Sequence, residues 1–388
     1  MSSNPTSRDY NKASVLDVVL SQAPLTRNEL IEATGLSKAT VSRAVEELRA
    51  DGFLTDGEMD VVTGRGRRST FLDLPGTAGH VVGISVGAQT SCVLVTDLRG
   101  REIKHVIAPT TPEDDVESVA GWLVDLVGQC SASAEGPLRQ IVAAVPGRVR
   151  EGREIFATME SRKIFAGSHF HRAIEDRVAA PVLLDSDANA SLLDILADDP
   201  TVENAALFIV STMVTFASCA GREVARGRTP AFGDLGVLSS GVGKEHLGDL
   251  LSTSGLLRFA GGRGVDLERI EALWLEPPGQ ASRAEVLEAF TTAIVTAVSA
   301  VAVTLDPESV YFVGRLRPLV DEVLPEVRRR LDESLPTTPE IRVVTQVLGL
   351  SVAQGAAREG LATAHSRLRD TVLEARRQGR PRQAAPAF

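Results

Sequence analysis

The pattern of apolar and polar positions changes character near Pro75. Before it, apolar residues recur at helical intervals. Val15, Leu16, Val18, Val19 and Leu20 predict a first helix that Pro24 stops. Thr26 and Glu29 form a capping box, the hydroxyl covering the Glu29 amide while the carboxylate reaches back, so a second helix starts there and runs to Gly35. Gly35 permits the positive φ of a tight turn. Ser37 then caps a third helix over 38–50, with Val41, Ala44, Val45 and Leu48 on one face. Phe53-Leu54 and Thr70–Leu74 read as two strands of a wing whose tip is Gly64-Arg-Gly-Arg-Arg68.

After Pro75, short β-type runs alternate with helical text. Val81–Asp97 holds two β-rich runs joined by Gly87-Ala-Gln-Thr90, a hairpin signature, and Glu102–Ala108 adds a strand. Glu117–Cys130 has helical periodicity, and Gln140–Val145 is a strand ending at Pro146-Gly147. Pro181–Asp185, Ala206–Ser211 and Val310–Gly314 are further short apolar runs bounded by Gly, Pro or Asp. Strands alternating with helices predict an α/β body with a partly parallel sheet.

At 388 residues the chain is long enough for two or three domains. With 43% hydrophobic and 24% charged residues, disordered, collagen-like and coiled-coil classes are excluded. The net charge of −10 leaves no basic field over the whole molecule, so nucleic-acid contact must come from a local patch. Cys92, Cys130 and Cys219 lie far apart, which excludes a disulfide scaffold and a finger-type zinc site and predicts buried, reduced thiols. Met1–Lys12 is polar, with no secretion signal, and the uncharged run Phe290–Leu305 falls short of the ~20 residues a membrane helix needs. The expected location is the cytoplasm, with no membrane partner. His169 and His171 read as the start of an exposed helix, and His246 as a surface or capping residue.

Helix, Gly-containing turn, helix is helix-turn-helix spacing, in which the second helix offers its N-terminal side chains to base edges in the major groove. Those positions are Ser37, Lys38, Ala39, Thr40, Ser42 and Arg43, small, hydroxylated or basic, with no carboxylate before Glu46. Arg65, Arg67 and Arg68 on the wing suit phosphates or a minor groove. Residues 1–75 hold nine Lys/Arg against eleven Asp/Glu, so segregation of charge, not its sum, carries this reading. The bland alternative is a small helical domain that binds protein.

Taken together, the chain resembles transcriptional regulators of the ROK family (repressor, open reading frame, kinase). The resemblance rests on Leu25–Leu54, the basic wing, the hairpin from Val82, Val145-Pro-Gly147, Asp185-Ser-Asp-Ala-Asn189, Gly233-Asp-Leu-Gly236, Leu305-Asp-Pro-Glu308 and Ser351–Ala357. It implies an N-terminal arm over 1–12, a winged helix-turn-helix over 13–75, an actin/hexokinase-like body in two lobes over 76–370, and a flexible tail over 371–388. It also implies assembly into homodimers or tetramers.

Kinase relatives of this fold carry an acid in the first hairpin, where this chain has Ser85-Val-Gly87-Ala-Gln-Thr90. Their second phosphate loop is glycine-rich, whereas here it reads Ser211-Thr-Met-Val-Thr-Phe216, and their late Gly-Gly is Gly314-Arg315. The resemblance makes Asp187 the surviving catalytic acid. The sugar- and zinc-binding Glu-x-Gly-His is Asp234-Leu-Gly236-Val237, and Leu238–Leu247 has no cysteine, so neither metal nor cofactor is expected. Asp187, Asn189 and Asp234 remain candidate contacts for a polyol effector. Equally, 185–189 is a helix N-cap cluster. The expectation is a DNA-binding regulator, by default a repressor, whose kinase-like body is catalytically dead and serves oligomerisation and effector sensing. Its partners are an operator duplex, a second copy and a sugar-like effector. A sugar kinase with an accessory domain, or a regulator controlled by a protein partner, are the alternatives.

Overall fold

Local capping chemistry fixes how the chain begins. In the computed structural model, which describes residues 6–59, 70–87, 89–110, 115–158, 165–229, 231–265, 267–275 and 280–374, α1 spans Ser7–Gln22. Asp9 accepts from both the amide and the hydroxyl of Thr6, at 2.9 and 2.7 Å. This second capping box makes residues 7–12, expected as an arm, part of a helix. After β1 (Leu25–Thr26), the Thr26–Glu29 box opens α2 (Arg27–Thr34), which closes on Gly35 at φ +65°. Ser37 accepts from the Thr40 amide at 3.2 Å and opens α3 (Lys38–Ala50). β2 (Thr55–Met59) and β3 (Thr70–Asp73) complete a sheet in the order β1-β3-β2. Phe53 and Leu54, expected in the first wing strand, come just before it and are buried in the core beneath α3. The basic wing tip, with Arg65, Arg67 and Arg68, lies outside the described residues.

The first lobe is built on β4 (His80–Val86), β5 (Thr90–Asp97), β6 (Glu102–Pro109), β7 (Leu138–Val145) and β10 (Val182–Ser186), in the order β10-β7-β4-β5-β6. β10, β7 and β4 run parallel, and the hairpin through β5 and β6 is antiparallel. The strand period of two puts Val82, Ile84 and Val86 against α4 (Val116–Ser131) and leaves Gly83 for the opposite face. β8 (Gly147–Arg150) and β9 (Glu154–Thr158) form a separate hairpin, and α5 (His169–Glu175) precedes β10.

α6 (Asp187–Asp198) leads into the second lobe, whose sheet runs β13-β12-β11-β14-β15. Its strands are β11 (Ala205–Val210), β12 (Val214–Ala220), β13 (Glu223–Val224), β14 (Ser309–Val313) and β15 (Glu340–Val343). One face packs on α6 through Leu207, Ile209 and Tyr311. The other faces α7 (Leu247–Leu250), α8 (Thr253–Gly261), α9 (Ala272–Leu275), α10 (Gln280–Leu305) and α11 (Arg317–Ser334), with Phe208 and Phe312 stacked 5.2 Å apart in that core. α10 outruns the uncharged stretch seen in the sequence, and by length and composition it would reach across a membrane. Val286, Phe290, Ile294 and Val298 are instead buried in the lobe.

α12 (Leu348–Glu374) ties everything together. Its first half lies on the first-lobe sheet, where a Cβ on Gly83 would strike Ala357, and crosses α6. Its second half, still tied to β7 by Arg367 donating to Gln140 Oε1 at 2.7 Å, inserts Ala364, Leu368 and Val372 among Leu16, Val19 and Leu48 of the winged helix. The tail expected from residue 371 is therefore helical to 374, because Val372 is a core residue. The three cysteines are free and buried, and burial pushes the Cys92 thiol up to about 12.

Candidate nucleic-acid interface and interlobe cleft

α3 presents Ser37, Lys38 and Arg43 to solvent, while Thr40 and Ser42 are half-buried. The Ser37 hydroxyl is committed to the cap and lies 2.9 Å from that of Thr40, so the exposed Lys38 and Arg43, with no side-chain partner among the described residues, are the reaching side chains of this face. The acidic end of α3 is neutralised from outside the helix. Glu46 pairs with Arg27 at 3.1 Å, Glu47 with Arg8, and Asp51 with Lys12. Arg8 and Lys12 fall in the stretch expected as an arm, and only the helical α1 brings them beside α3. With Thr40 and Arg43 they line a groove of about 220 Å³.

Between the lobes, Ser186 caps α6, its hydroxyl accepting from the Asn189 amide at 3.1 Å. Asp185 Oδ1 accepts from the Ser186 amide and the Asn189 side chain, both at 2.7 Å. The cap-cluster reading thus holds for Asp185, Ser186 and Asn189. Asp187 is different: its Oδ1 is shielded and without a hydrogen-bond partner among the described residues, and burial pushes its carboxyl up to about 7. It faces a cavity of about 450 Å³ with Ser85, Ser211, Thr212, Thr215 and Arg315 on its walls. A smaller cavity, bordered by Arg148, Asn189, Arg226 and Gly233, adjoins it across Met213 and Thr215. Asp234 stands at its edge, bound to Arg148 Nη1 at 2.7 Å. Of the three candidate effector contacts, then, Asn189 and Asp234 already have protein partners.

Two protein-family models match the chain. The model named "ROK family" matches residues 81–365, and that named "MarR family" matches residues 9–61. The chain belongs to the ROK family. The xylose repressor of Bacillus subtilis (strain 168) is 28% identical over 187 residues, covering 47% of each chain, and that of Bacillus spizizenii is 27% identical over 186 residues, again 47% of each. The chain thus spans about half the length of the curated relatives it matches. A solved structure described as a ROK family transcriptional regulator, homolog of the E. coli MLC protein, superposes with TM-score 0.75 at 16% identity over 95% of this chain and 99% of that one. A ROK hexokinase from Thermus thermophilus gives 0.62 at 22%, over 74% and 99%. At these identities the structures speak for the fold: a winged helix followed by a two-lobed ROK body.

The positions at which the sequence departs from the kinase pattern have the following surroundings in this ROK chain. Ser85 sits opposite Cys92 in the first hairpin, buried and uncharged. Gly314 holds φ +110° against the Val210 carbonyl, but its neighbour Arg315 is engaged by Glu271. Val237 is 62% exposed, and His246 heads α7, its amide donating to Asp249 at 3.0 Å. No group of three or more His, Cys, Asp or Glu side chains suited to a metal occurs among the described residues. His171 corrects the expectation of an exposed helix. It is 2% exposed, with Nε2 3.0 Å from the Val182 carbonyl, because α5 packs against β10; His169 is exposed and meets Glu117.

Sequence reading missed Arg148, Arg226 and Glu359. Arg226 Nη2 donates to Asp185 Oδ2 at 2.8 Å and to Glu359 Oε1, on α12, at 2.7 Å. Burial, with Asp185 close by, pushes the Glu359 carboxyl up to about 8. Arg148 follows directly after the quoted Val145-Pro-Gly147 and was within reach of inspection. Glu359 was not, since nothing local links it to a residue so far back in the chain.

Proposed function

We propose that the chain is a DNA-binding transcriptional regulator, acting as a repressor, whose ROK body oligomerises and senses an effector and does not phosphorylate sugars. The observation that carries this is the solvent-facing N-terminal half of α3. Its cap is formed, Lys38 and Arg43 project, and the three acids that follow are each paired away by a cation. That leaves a face a phosphate backbone can approach. The named repressor relatives support the same reading.

In this reading Ser37, Lys38, Thr40, Ser42 and Arg43 meet the major groove, while Arg65, Arg67 and Arg68 of the wing hold phosphate or the minor groove. Two copies in the cytoplasm present two such helices to an operator with two half-sites. Asp187, Asn189 and Asp234 belong to the effector site. Catalytic silence is supported by Ser85, which leaves the magnesium-side position of the first hairpin without a carboxylate.

Genomic fragments recovered with the full-length chain, followed by footprinting, test this reading. Protection of a two-fold repeated sequence, lost together with its salt dependence in Arg43→Ala, is the expected result. Uniform low-affinity protection overturns it. Hexose turnover with ATP that disappears in Asp187→Asn would overturn the non-enzymatic half.

A further inference from the structure

The small interlobe cavity is lined by two arginines and, among the described residues, by no carboxylate. Arg148 enters from β8 of the first lobe and Arg226 from the segment after β13 of the second. Arg148 spends Nη1 on Asp234, while its Nε is buried with no partner among the described residues. Arg226 makes both of its ion pairs through Nη2, and its side chain is half-exposed. The carboxylate best placed to accept from a neutral polyol, Asp234, is taken by Arg148. Asn189 is turned inward to Asp185. Two guanidinium groups lining one cavity, each with N–H donors beyond those its carboxylates take, match a planar or tetrahedral anion.

Space makes the same point. About 60 Å³ is open between these side chains, and the half-exposed Arg226 is a wall residue able to swing aside for a larger ligand. The aromatic walls Phe156, Phe216 and Phe232 supply faces for the remainder of such a ligand.

We propose that this cavity takes a polyol bearing a carboxylate or phosphate, and that its anion engages Arg148 and Arg226, drawing Arg226 away from Glu359 of α12. Glu359 sits a few residues before Ala364, Leu368 and Val372, which are buried against the winged helix. Loss of its partner loosens α12, which reaches the cavity through the Glu359–Arg226 pair and packs on the DNA-binding unit through Leu368. The proposal rests on the effector-sensing reading above and deepens it.

Calorimetry on the full-length protein tests it with D-glucuronate and D-glucose 6-phosphate as the two sources of anion, and D-glucose as the neutral counterpart. At least one anionic sugar is expected to bind about tenfold or more tighter than glucose. Arg226→Met and Arg148→Met, each checked for an unchanged melting profile, should each erase that advantage, and Glu359→Gln should preserve or increase it. Hydrogen exchange adds the coupling: the bound anion should raise amide exchange over 356–374 in the wild type, and Glu359→Gln should show raised exchange without ligand. Glucose binding as tightly as either anion, no binding of either anion at millimolar concentration, or unchanged exchange in α12 would each overturn the proposal. None of these readouts uses DNA, so failure of the regulator reading shows up separately, in the footprint.

Discussion

Gly355 of α12 lies against the backbone carbonyl of Ala190 on α6, so close that a Cβ would collide with the carbonyl oxygen and its carbon. The two helices cross on backbone contact, and on either side Val142, Ala144, Val352 and Ala356 close a small apolar cluster. This crossing sets the position of Asp187 and Asn189 relative to Glu359, since both acids are carried on these helices.

Gly355→Ala should therefore lower stability by about 3 kcal/mol or more, the upper end of overpacking costs, because backbone cannot yield as a flexible side chain can. Denaturant midpoints check this. Gly128→Ala, on α4 where a Cβ meets nothing within 4 Å, is the control and should be neutral or slightly stabilising.

Ser37 and Arg43 share a helix and should separate cleanly in experiment. Ser37→Ala removes a formed cap and should cost about 0.5–2 kcal/mol of stability. Arg43→Ala, exposed, should leave stability within about 0.5 kcal/mol and cost ~1–3 kcal/mol of discrimination between the operator and unrelated duplex. Equal effects of Arg43→Ala on all sequences would move it from base reading to phosphate contact.

Much of this local architecture was legible in sequence because its physics is local. The Thr26–Glu29 box, the Gly35 turn, the Ser37 cap and the hairpin over 81–97 each depend on residues within a few positions of one another. The Thr6–Asp9 box was equally local and was passed over, which hid Arg8 and Lys12. The Arg226–Glu359 pair and the insertion of Leu368 into the winged helix depend on which distant segments pack together, and no spacing rule carries that. His171 shows the same boundary: its helix was visible, its burial under β10 was not.

Two acids give stability a distinctive pH dependence. Glu359 and Asp187 are raised to about 8 and about 7 in the folded chain, above their unfolded values near 4. A raised carboxyl favours folding in its protonated form, so its contribution is fully present below about pH 4 and is lost as pH rises towards 7–8. Glu359→Gln and Asp187→Asn should each flatten that decline by roughly 2 kcal/mol between pH 5 and 8, the full linkage being discounted for partial exposure. Urea titrations at several pH values read it directly. Parallel curves for wild type and variants would mean these carboxyls are ordinary acids.

Leu368 is 5% exposed in a core made jointly by α12 and the winged helix. Leu368→Ala should cost ~2–5 kcal/mol, and the loss should appear in the melting of both units as one transition, because they share the side chains removed. Two resolved transitions, with only the N-terminal one shifted, would show that the winged helix is held independently.

The oligomer is expected to form through the ROK body, since the winged helix already spends its apolar surface on α12. At the C-terminal end of α10, Val303 is 75% exposed and Leu305 44%, beside a helix otherwise committed to the second-lobe core. Large exposed apolar side chains at the end of a buried helix are candidates for cover by a second copy. Full-length protein should scatter light as a dimer or tetramer, and Val303→Arg should lower that mass without shifting the monomer's own melting, since the side chain makes little contact within its chain. A monomeric wild type removes the two-fold axis from the docking scheme. An assembly indifferent to Val303→Arg keeps the axis and moves the interface to another face of the body.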